Sequence, residues 1–259
     1  MDRTELTDLI ARRVDAIGRE TDLLVAAAEA AGPEATVPSC PGWTVRDLVR
    51  HTGGFHRWAR THVAGRRTTE LPEADEPAVM NTWPADPADF PALLAWFRAG
   101  SAALVETMTA ADPELDCWHF LTAPSCTAFW ARRQAHETGI HRADAQLAAG
   151  RLEPFPAEHA ADGVDELVRG FMGELSRRLR TDPPATIALE ATDADARWHV
   201  TVGPDAVRVT GEQGAADCTV RGTASDLYLF VWNRIGPGPL EVTGDHAVLE
   251  LWRTKARVG

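Results

Sequence analysis

Residues 44–58 read TVRDLVRHTGGFHRW, which is a helix start followed by an amphipathic stripe that contains a histidine. Thr44 and Asp47 have the spacing of an N-cap residue and its partner three positions later. Apolar side chains then recur at helical intervals, at Leu48, Phe55 and Trp58. His51 falls within the same stripe, so the pattern predicts a histidine that faces the interior of a helical fold.

A second pair of chemically active residues lies far downstream. Glu137 and His141 are four positions apart, so on a helix they lie on one face and can bind one ion together. With His51 from a second helix, this His/Glu/His set would leave one position of a tetrahedral zinc ion open, as catalytic zinc sites do. Asp144, three residues beyond His141, is placed to accept the second ring N–H of a metal-binding histidine.

The residues alone leave a second interpretation open. Glu137 and His141 would then form an ordinary polar pair on a helix, and His51 would be a core histidine with satisfied hydrogen bonds. Spacing alone does not decide between the two interpretations. His56 and His62 fall on other faces of the His51 helix, and we expect both to be exposed to solvent.

Helical periodicity extends over most of the first 180 residues. Apolar positions at helical spacing predict further helices at about 3–31, 90–110, 127–149 and 157–180. Residues 68–91 contain several prolines and predict a long loop. Four long helices joined by irregular links indicate an up-and-down four-helix bundle, whose interior is a common place for metal sites.

The pattern changes to period two beyond Pro184, which is typical of strands. We predict short strands around 186–189, 198–202, 207–209, 218–220 and 240–242, and helices at 225–234 and 245–255. The prolines at 183 and 184 mark the expected domain boundary. The predicted fold class is therefore α+β, with a helical bundle at 1–182 followed by a small α+β domain at 183–259.

Composition excludes several classes of function. The 259 residues carry 38 acidic and 26 basic side chains, a net charge of -12 that would repel nucleic-acid phosphates. No apolar run approaches the roughly 20 residues of a membrane helix, and the charged N-terminal residues do not resemble a secretion signal. Because the four cysteines form no C-x-x-C pair, we interpret them as reduced thiols in a cytoplasmic protein.

Two separated motifs resemble those of a known family. The segments CPGWTVRDLVRH at 40–51 and ETGIHRAD at 137–144 are similar to those of the mycothiol-dependent maleylpyruvate isomerase family of actinobacteria, which belongs to the DinB-like metalloenzymes. Family members also have a C-terminal sterol-carrier-like α+β domain with a segment similar to ASDLYLFVWNR at 224–234. The resemblance covers nearly the whole chain.

The resemblance implies roles for particular residues. The zinc ligands would be His51, Glu137 and His141, and the active-site arginine would be Arg234. In the family this arginine ends a Trp-Gly-Arg segment, whereas this chain has Asn233 in place of the glycine.

The resemblance also implies a reaction class. Zinc or another divalent metal would hold mycothiol, the thiol cosubstrate, as its nucleophilic thiolate. The thiolate would add to an electrophilic small molecule, either as a maleylpyruvate-type cis-trans isomerase or as an S-transferase. Two alternatives stay open, namely a zinc hydrolase that uses metal-bound water and a non-enzymic binding protein for small molecules. No nucleic acid or membrane partner is expected.

Overall fold

A computed structural model describes residues 1–86, 88–211 and 214–258. The chain divides into two compact units, Met1–Glu153 and Pro154–Gly259. The first unit is helical, and the second combines helices with a five-stranded sheet. The predicted α+β class, with a helical bundle that precedes a small α+β unit, is therefore confirmed.

Four long helices form the N-terminal unit. Their bounds are α1 at Arg3–Ala31, α2 at Val45–Ala64, α4 at Phe90–Ala110 and α5 at Cys126–Ala148, with a short α3 at Glu76–Met80. The segment predicted as a loop at 68–91 therefore contains one helical turn. Thr44 and Asp47 form a reciprocal capping box that fixes the start of α2, as their spacing predicts.

The bundle pairs helices that are not consecutive in the sequence. α1 and α2 each pack against both α4 and α5. At the contact between α2 and α4, Gly53 lies so close to the indole of Trp96 that a Cβ atom at this position would overlap the ring. α5 is buried along most of its length, which places its polar side chains inside the unit. The bundle thus surrounds the helix that carries Glu137 and His141.

His56 and His62 are buried, and the expectation that both are exposed is wrong. Nε2 of His56 lies 2.9 Å from Oγ1 of Thr138 on α5, and its ring stacks on Phe97 of α4. His62 stacks on Trp130 with ring centroids 5.3 Å apart. The reason is that α2 is covered on more than one face, so residues outside its main apolar stripe also enter the core.

Because His56 is buried, we expect the folded protein to lose stability in mild acid. Burial lowers the pKa of His56 from 6.5 to about 3. The unfolded chain gains a proton below its pKa near 6.5 and the folded chain does not, so the stabilisation is complete above that pH and declines as the pH falls. Each pH unit costs at most about 1.4 kcal/mol. From about pH 7 to about pH 5, we expect His56→Asn to reduce the fall in unfolding free energy by roughly 2 kcal/mol, measured by urea titration.

A matched control separates this effect from general acid sensitivity. His246 is exposed at the start of α8 (His246–Lys255), so His246→Asn should leave the pH dependence unchanged. Equal acid sensitivity of the wild-type protein and His56→Asn would contradict the assignment of His56 as a buried neutral imidazole.

The C-terminal unit begins before the expected boundary. Helix α6 at Ala157–Asp165 continues as a π-helical segment, Glu166–Leu175, and α6 packs against α7 (Ala224–Val231) of the same unit. The structure thus divides the chain at Glu153, whereas the proline run predicts division at 182. The prolines lie in the connection between the π-helical segment and the sheet, and the contacts of that segment with α6 and with the sheet place it in the C-terminal unit.

The sheet of this unit has the order β3-β2-β1-β4-β5. Its strands are β1 Ala185–Ala191, β2 Arg197–Val202, β3 Val207–Thr210, β4 Cys218–Gly222 and β5 Glu241–Gly244. β1 and β4 are parallel, and the other neighbouring strands are antiparallel. All five predicted strands are present, and the closing helix is α8.

The cysteines differ from the interpretation as four reduced thiols. Cys117 and Cys126 form a disulfide with Cα atoms 5.3 Å apart, whereas Cys40 and Cys218 are not part of a disulfide. The spacing of these two cysteines does not indicate a disulfide. The loop before α5 brings them together, and the backbone N–H of Cys126 donates to the carbonyl of Leu115. Among the described residues, no helix has both the length and the apolar character that a membrane span requires.

Candidate metal centre

Three side chains from α2 and α5 converge on one point. Nε2 of His51 lies 3.3 Å from Oε1 of Glu137, and Nε2 of His141 lies 3.1 Å from the same oxygen. One potential ligand atom from each residue falls in a group whose members are all within 4.8 Å of one another. The structure therefore brings together the three residues that the sequence identifies as candidate metal ligands.

The two helices explain how this group forms. Glu137 and His141 are one turn apart on α5, so the helix itself aligns them. His51 comes from the second turn of α2, whose start is fixed by the capping box, and α2 packs against α5. His51 and Glu137 keep 28% and 17% of their side-chain surface exposed, so the group is partly accessible to solvent.

The electrostatics of the group favour an ionised carboxylate. Burial alone would raise the pKa of Glu137, but the neighbouring charges and hydrogen bonds of His141, His51 and Arg133 hold it well below its ordinary value. Burial would lower the pKa of His141, and the opposing effect of Glu137 and Asp144 raises it to about 9. The carboxylates of Glu137 and Asp144 thus favour positive charge at this point of the structure.

A buried carboxylate orients His141. Nδ1 of His141 lies 2.9 Å from Oδ2 of Asp144, which has no exposed side-chain surface. Ser39 donates a hydrogen bond to Oδ1 of Asp144 at 2.5 Å, and the Cys40 thiol lies 3.6 Å from Oδ2. Because Asp144 accepts the Nδ1 proton, Nε2 of a neutral His141 presents its lone pair toward Glu137 and His51. The spacing of Asp144 from His141 predicts this contact, and the structure confirms it.

Asp144→Asn should weaken metal binding without removing a ligand. A neutral amide oxygen accepts the hydrogen bond from Nδ1 less strongly than a carboxylate does, so the imidazole becomes less basic. We therefore expect zinc affinity to fall about 10–100-fold. Competition with a chromophoric chelator measures this change. The control Asp15→Asn alters an exposed carboxylate on α1 and should keep wild-type affinity. An unchanged affinity in Asp144→Asn would show that Asp144 does not tune His141.

Aromatic rings border the group. The Trp43 ring lies 4.7 Å from the imidazole of His51 and 6.3 Å from that of His141, measured between centroids. Phe55 lies 4.5 Å from His51. These rings replace water beside the ligand atoms, which strengthens electrostatic interactions there.

The donor set fits a divalent metal ion. Two imidazole nitrogens and one carboxylate oxygen are ligands that zinc accepts, and they leave a fourth position for an exogenous ligand. Ligand bonds of about 2.0–2.1 Å place the ligands of a tetrahedral zinc ion roughly 3.3 Å apart. The distances of 3.3 Å and 3.1 Å to Oε1 of Glu137 are close to this value.

Arg133 was not identified from the sequence. Its Nη2 donates to Oε2 of Glu137 at 2.9 Å, one helical turn before that residue. The Arg-x-x-x-Glu spacing of residues 133 and 137 was available as a signal, but it is common on ordinary helices.

Arg234 lies in the C-terminal unit, in the turn after α7. Its Nη1 donates to the carbonyl of Trp232 at 2.8 Å, and its side chain is half-buried. Asn233, which stands where the family has glycine, adopts a φ of 58°. Asparagine tolerates this left-handed conformation better than most residues do, so the turn forms without glycine.

Two family models match the chain. Residues 14–146 match the model described as the mycothiol maleylpyruvate isomerase N-terminal domain, and residues 158–251 match the MDMPI C-terminal domain. The first match includes all three candidate ligands. No curated protein sequence matches the chain.

Solved structures show the same overall fold. A crystal structure of the mycothiol-dependent maleylpyruvate isomerase aligns with a TM-score of 0.54 at 15% identity, over 94% of this chain and 93% of that chain. A mutant of that isomerase gives a TM-score of 0.56 with the same identity and coverage. The motifs, the fold and the family models agree, and the chain therefore belongs to the mycothiol maleylpyruvate isomerase family of enzymes.

Proposed function

We propose that the protein is a mycothiol-dependent metalloenzyme that uses a thiolate to attack an electrophilic small molecule. His51, Glu137 and His141 would hold the metal, with zinc as the expected ion. The observation that carries this proposal is the convergence of their ligand atoms within 4.8 Å, in a chain of this family. We place the activity in the cytoplasm, with the thiol and the electrophile as partners.

The net charge of the metal ion together with its three proposed ligands explains why such a site suits a thiol. When bound, a divalent metal with two neutral imidazoles and one carboxylate keeps a positive charge, and it lowers the pKa of a thiol that coordinates it. Asp144 accepts a hydrogen bond from Nδ1 of His141, and Trp43 and Phe55 exclude water beside His51. These residues thereby favour a nucleophilic thiolate over a hydrated thiol.

The reaction that we favour is cis-trans isomerisation of maleylpyruvate. The sulfur would form a bond to one alkene carbon, and the π electrons would move to the conjugated carbonyl oxygen as an enolate. The former double bond is then single and rotates. Return of the enolate electrons re-forms the double bond in the trans arrangement and expels the thiolate, so the thiol is not consumed.

Arg234 is proposed to bind a carboxylate of the substrate, as the resemblance of its segment to the family suggests. A guanidinium binds a carboxylate through two parallel hydrogen bonds, which an ammonium does not reproduce. We expect Arg234→Lys to raise KM for maleylpyruvate about tenfold with a smaller change in the dissociation constant of mycothiol. Steady-state kinetics and thiol titration measure the two quantities. Equal weakening of substrate and thiol binding would contradict this role.

The experiment that tests the proposal measures isomerisation of maleylpyruvate with zinc and mycothiol each omitted in turn. Turnover that requires both, and that a chelator abolishes and zinc restores, supports the isomerase. Formation of a stable S-conjugate with a test electrophile, without isomerisation, supports thiol transfer and overturns the isomerase assignment.

Two further outcomes would contradict the proposal as a whole. Hydrolytic turnover in the absence of thiol would support a zinc hydrolase. A protein without any turnover, in which His51→Ala and His141→Ala change only stability, would be the non-enzymic binding protein.

A further inference from the structure

The two carboxylate oxygens of Glu137 have different neighbours. Oε1 faces the Nε2 atoms of His51 and His141 at 3.3 Å and 3.1 Å. Oε2 accepts a hydrogen bond from Nη2 of Arg133 at 2.9 Å. Only 5% of the Arg133 side chain is exposed, so this ion pair is shielded from water. One oxygen is thus directed toward the candidate ligands, and the other is held by a cation.

This division limits how Glu137 can bind a metal. A carboxylate binds through one oxygen or chelates through both. Chelation would bring the metal ion to Oε2, beside the buried guanidinium of Arg133, and the repulsion between the two cations disfavours this arrangement. Binding through Oε1 alone keeps the Arg133 hydrogen bond intact.

We propose that Arg133 is a positioning residue that restricts Glu137 to binding the metal through Oε1 alone and so keeps a coordination position open for the thiol. The inference rests on the proposed function, because it concerns the same site. Three residues on one face of α5 would then act together. Arg133 would hold Glu137 in place, and Glu137 and His141 would bind the ion. The helix repeat places these three residues one turn apart.

The hydrogen bond has a second effect on the same site. Arg133 draws electron density from the carboxylate, so Glu137 neutralises less of the metal's charge. A less neutralised ion binds an anionic fourth ligand more strongly. Both effects favour thiolate binding.

The test compares cobalt-substituted wild-type protein with Arg133→Met. Cobalt absorbs visible light strongly in four-coordinate sites and weakly at higher coordination numbers. In Arg133→Met, Oε2 is free to chelate, and we expect the visible absorbance per bound cobalt to fall about threefold. We also expect the KM for mycothiol to rise about 10–100-fold. Absorbance per bound metal does not depend on how much protein folds, so a purely structural role would leave it unchanged.

Two further variants serve as controls for the Arg133→Met result. Arg133→Lys retains a cationic donor and should recover most of the wild-type absorbance. Arg98→Met breaks an exposed arginine pair with Glu29 on other helices and should leave both the spectrum and the KM unchanged. If Arg133→Met does not fold, the wild-type spectrum itself decides, because a weak spectrum of higher coordination number would overturn the inference.

The outcomes separate this inference from the proposed function. Absence of stoichiometric cobalt binding in the wild-type protein would refute the metal site itself. Wild-type cobalt binding combined with an identical spectrum in Arg133→Met would refute only the role of Arg133.

Discussion

His141→Ala is expected to abolish stoichiometric zinc binding and, with it, thiol-dependent turnover. The variant loses one of three proposed protein ligands. Four-ligand zinc sites bind with about 10–16 kcal/mol, so one ligand contributes roughly 3–4 kcal/mol, and affinity should fall by several hundredfold. Metal content after dialysis and competition with a chelator measure this loss.

A control histidine distinguishes ligand loss from a general effect of the substitution. His246 lies at the exposed start of α8 and outside the His51, Glu137 and His141 group. His246→Ala should retain one zinc ion per chain and wild-type affinity. Retention of one tightly bound zinc ion by His141→Ala would exclude His141 as a ligand.

Glu20→Gln is expected to destabilise the fold strongly without changing a candidate metal ligand. Oε2 of Glu20 on α1 accepts a hydrogen bond from Nε of Arg142 on α5 at 2.9 Å, and both side chains are only 1% exposed. Removing the carboxylate charge takes the ionic partner of Nε away from a buried guanidinium, which also donates to Gln146 and to the carbonyl of Glu153. Breaking a buried pair in this way typically costs about 3–5 kcal/mol, and urea unfolding measures it.

Charge loss and packing loss are separable at this pair. Glu106→Gln changes an exposed carboxylate on α4 and should alter stability by less than about 0.5 kcal/mol. The double variant Glu20→Leu with Arg142→Met replaces the pair by apolar side chains and should recover most of the lost stability. A cost below about 1 kcal/mol for Glu20→Gln would show that the pair does not anchor α1 to α5.

Local signals predicted the helices of the bundle closely. α1 and α4 have the predicted bounds, and α2 begins at the predicted cap, because periodicity and N-cap residues act within a few positions of the chain. The end of α1 follows the same logic, since Gly32 adopts a φ of 83° that ends the helix.

Tertiary packing decided what the sequence did not reveal. The single apolar stripe of α2 suggested one buried face, whereas contacts with α4 and α5 also bury His56. The domain boundary depends on α6 packing against α7, which lies far along the chain. The Cys117–Cys126 bond depends on the path of a loop, and no spacing rule describes it.

In the candidate site, too, some contacts follow from spacing along one helix and others depend on tertiary packing. Spacing on α5 predicted the Glu137 and His141 pair and the contact of His141 with Asp144. The third residue, His51, required a packing of α2 against α5 that periodicity cannot supply, and the family resemblance provided it. The contact between Ser39 and Asp144 joins a loop to a helix, so it became visible only in the structure.

The absorption spectrum of the cobalt-substituted protein during titration with mycothiol tests the proposed function most directly, because it reports the metal and the thiol together. We expect a new thiolate-to-cobalt charge-transfer band that saturates at one thiol per metal ion and that is absent in His141→Ala. Stoichiometric cobalt binding with a spectrum that mycothiol leaves unchanged would contradict thiol activation at this site.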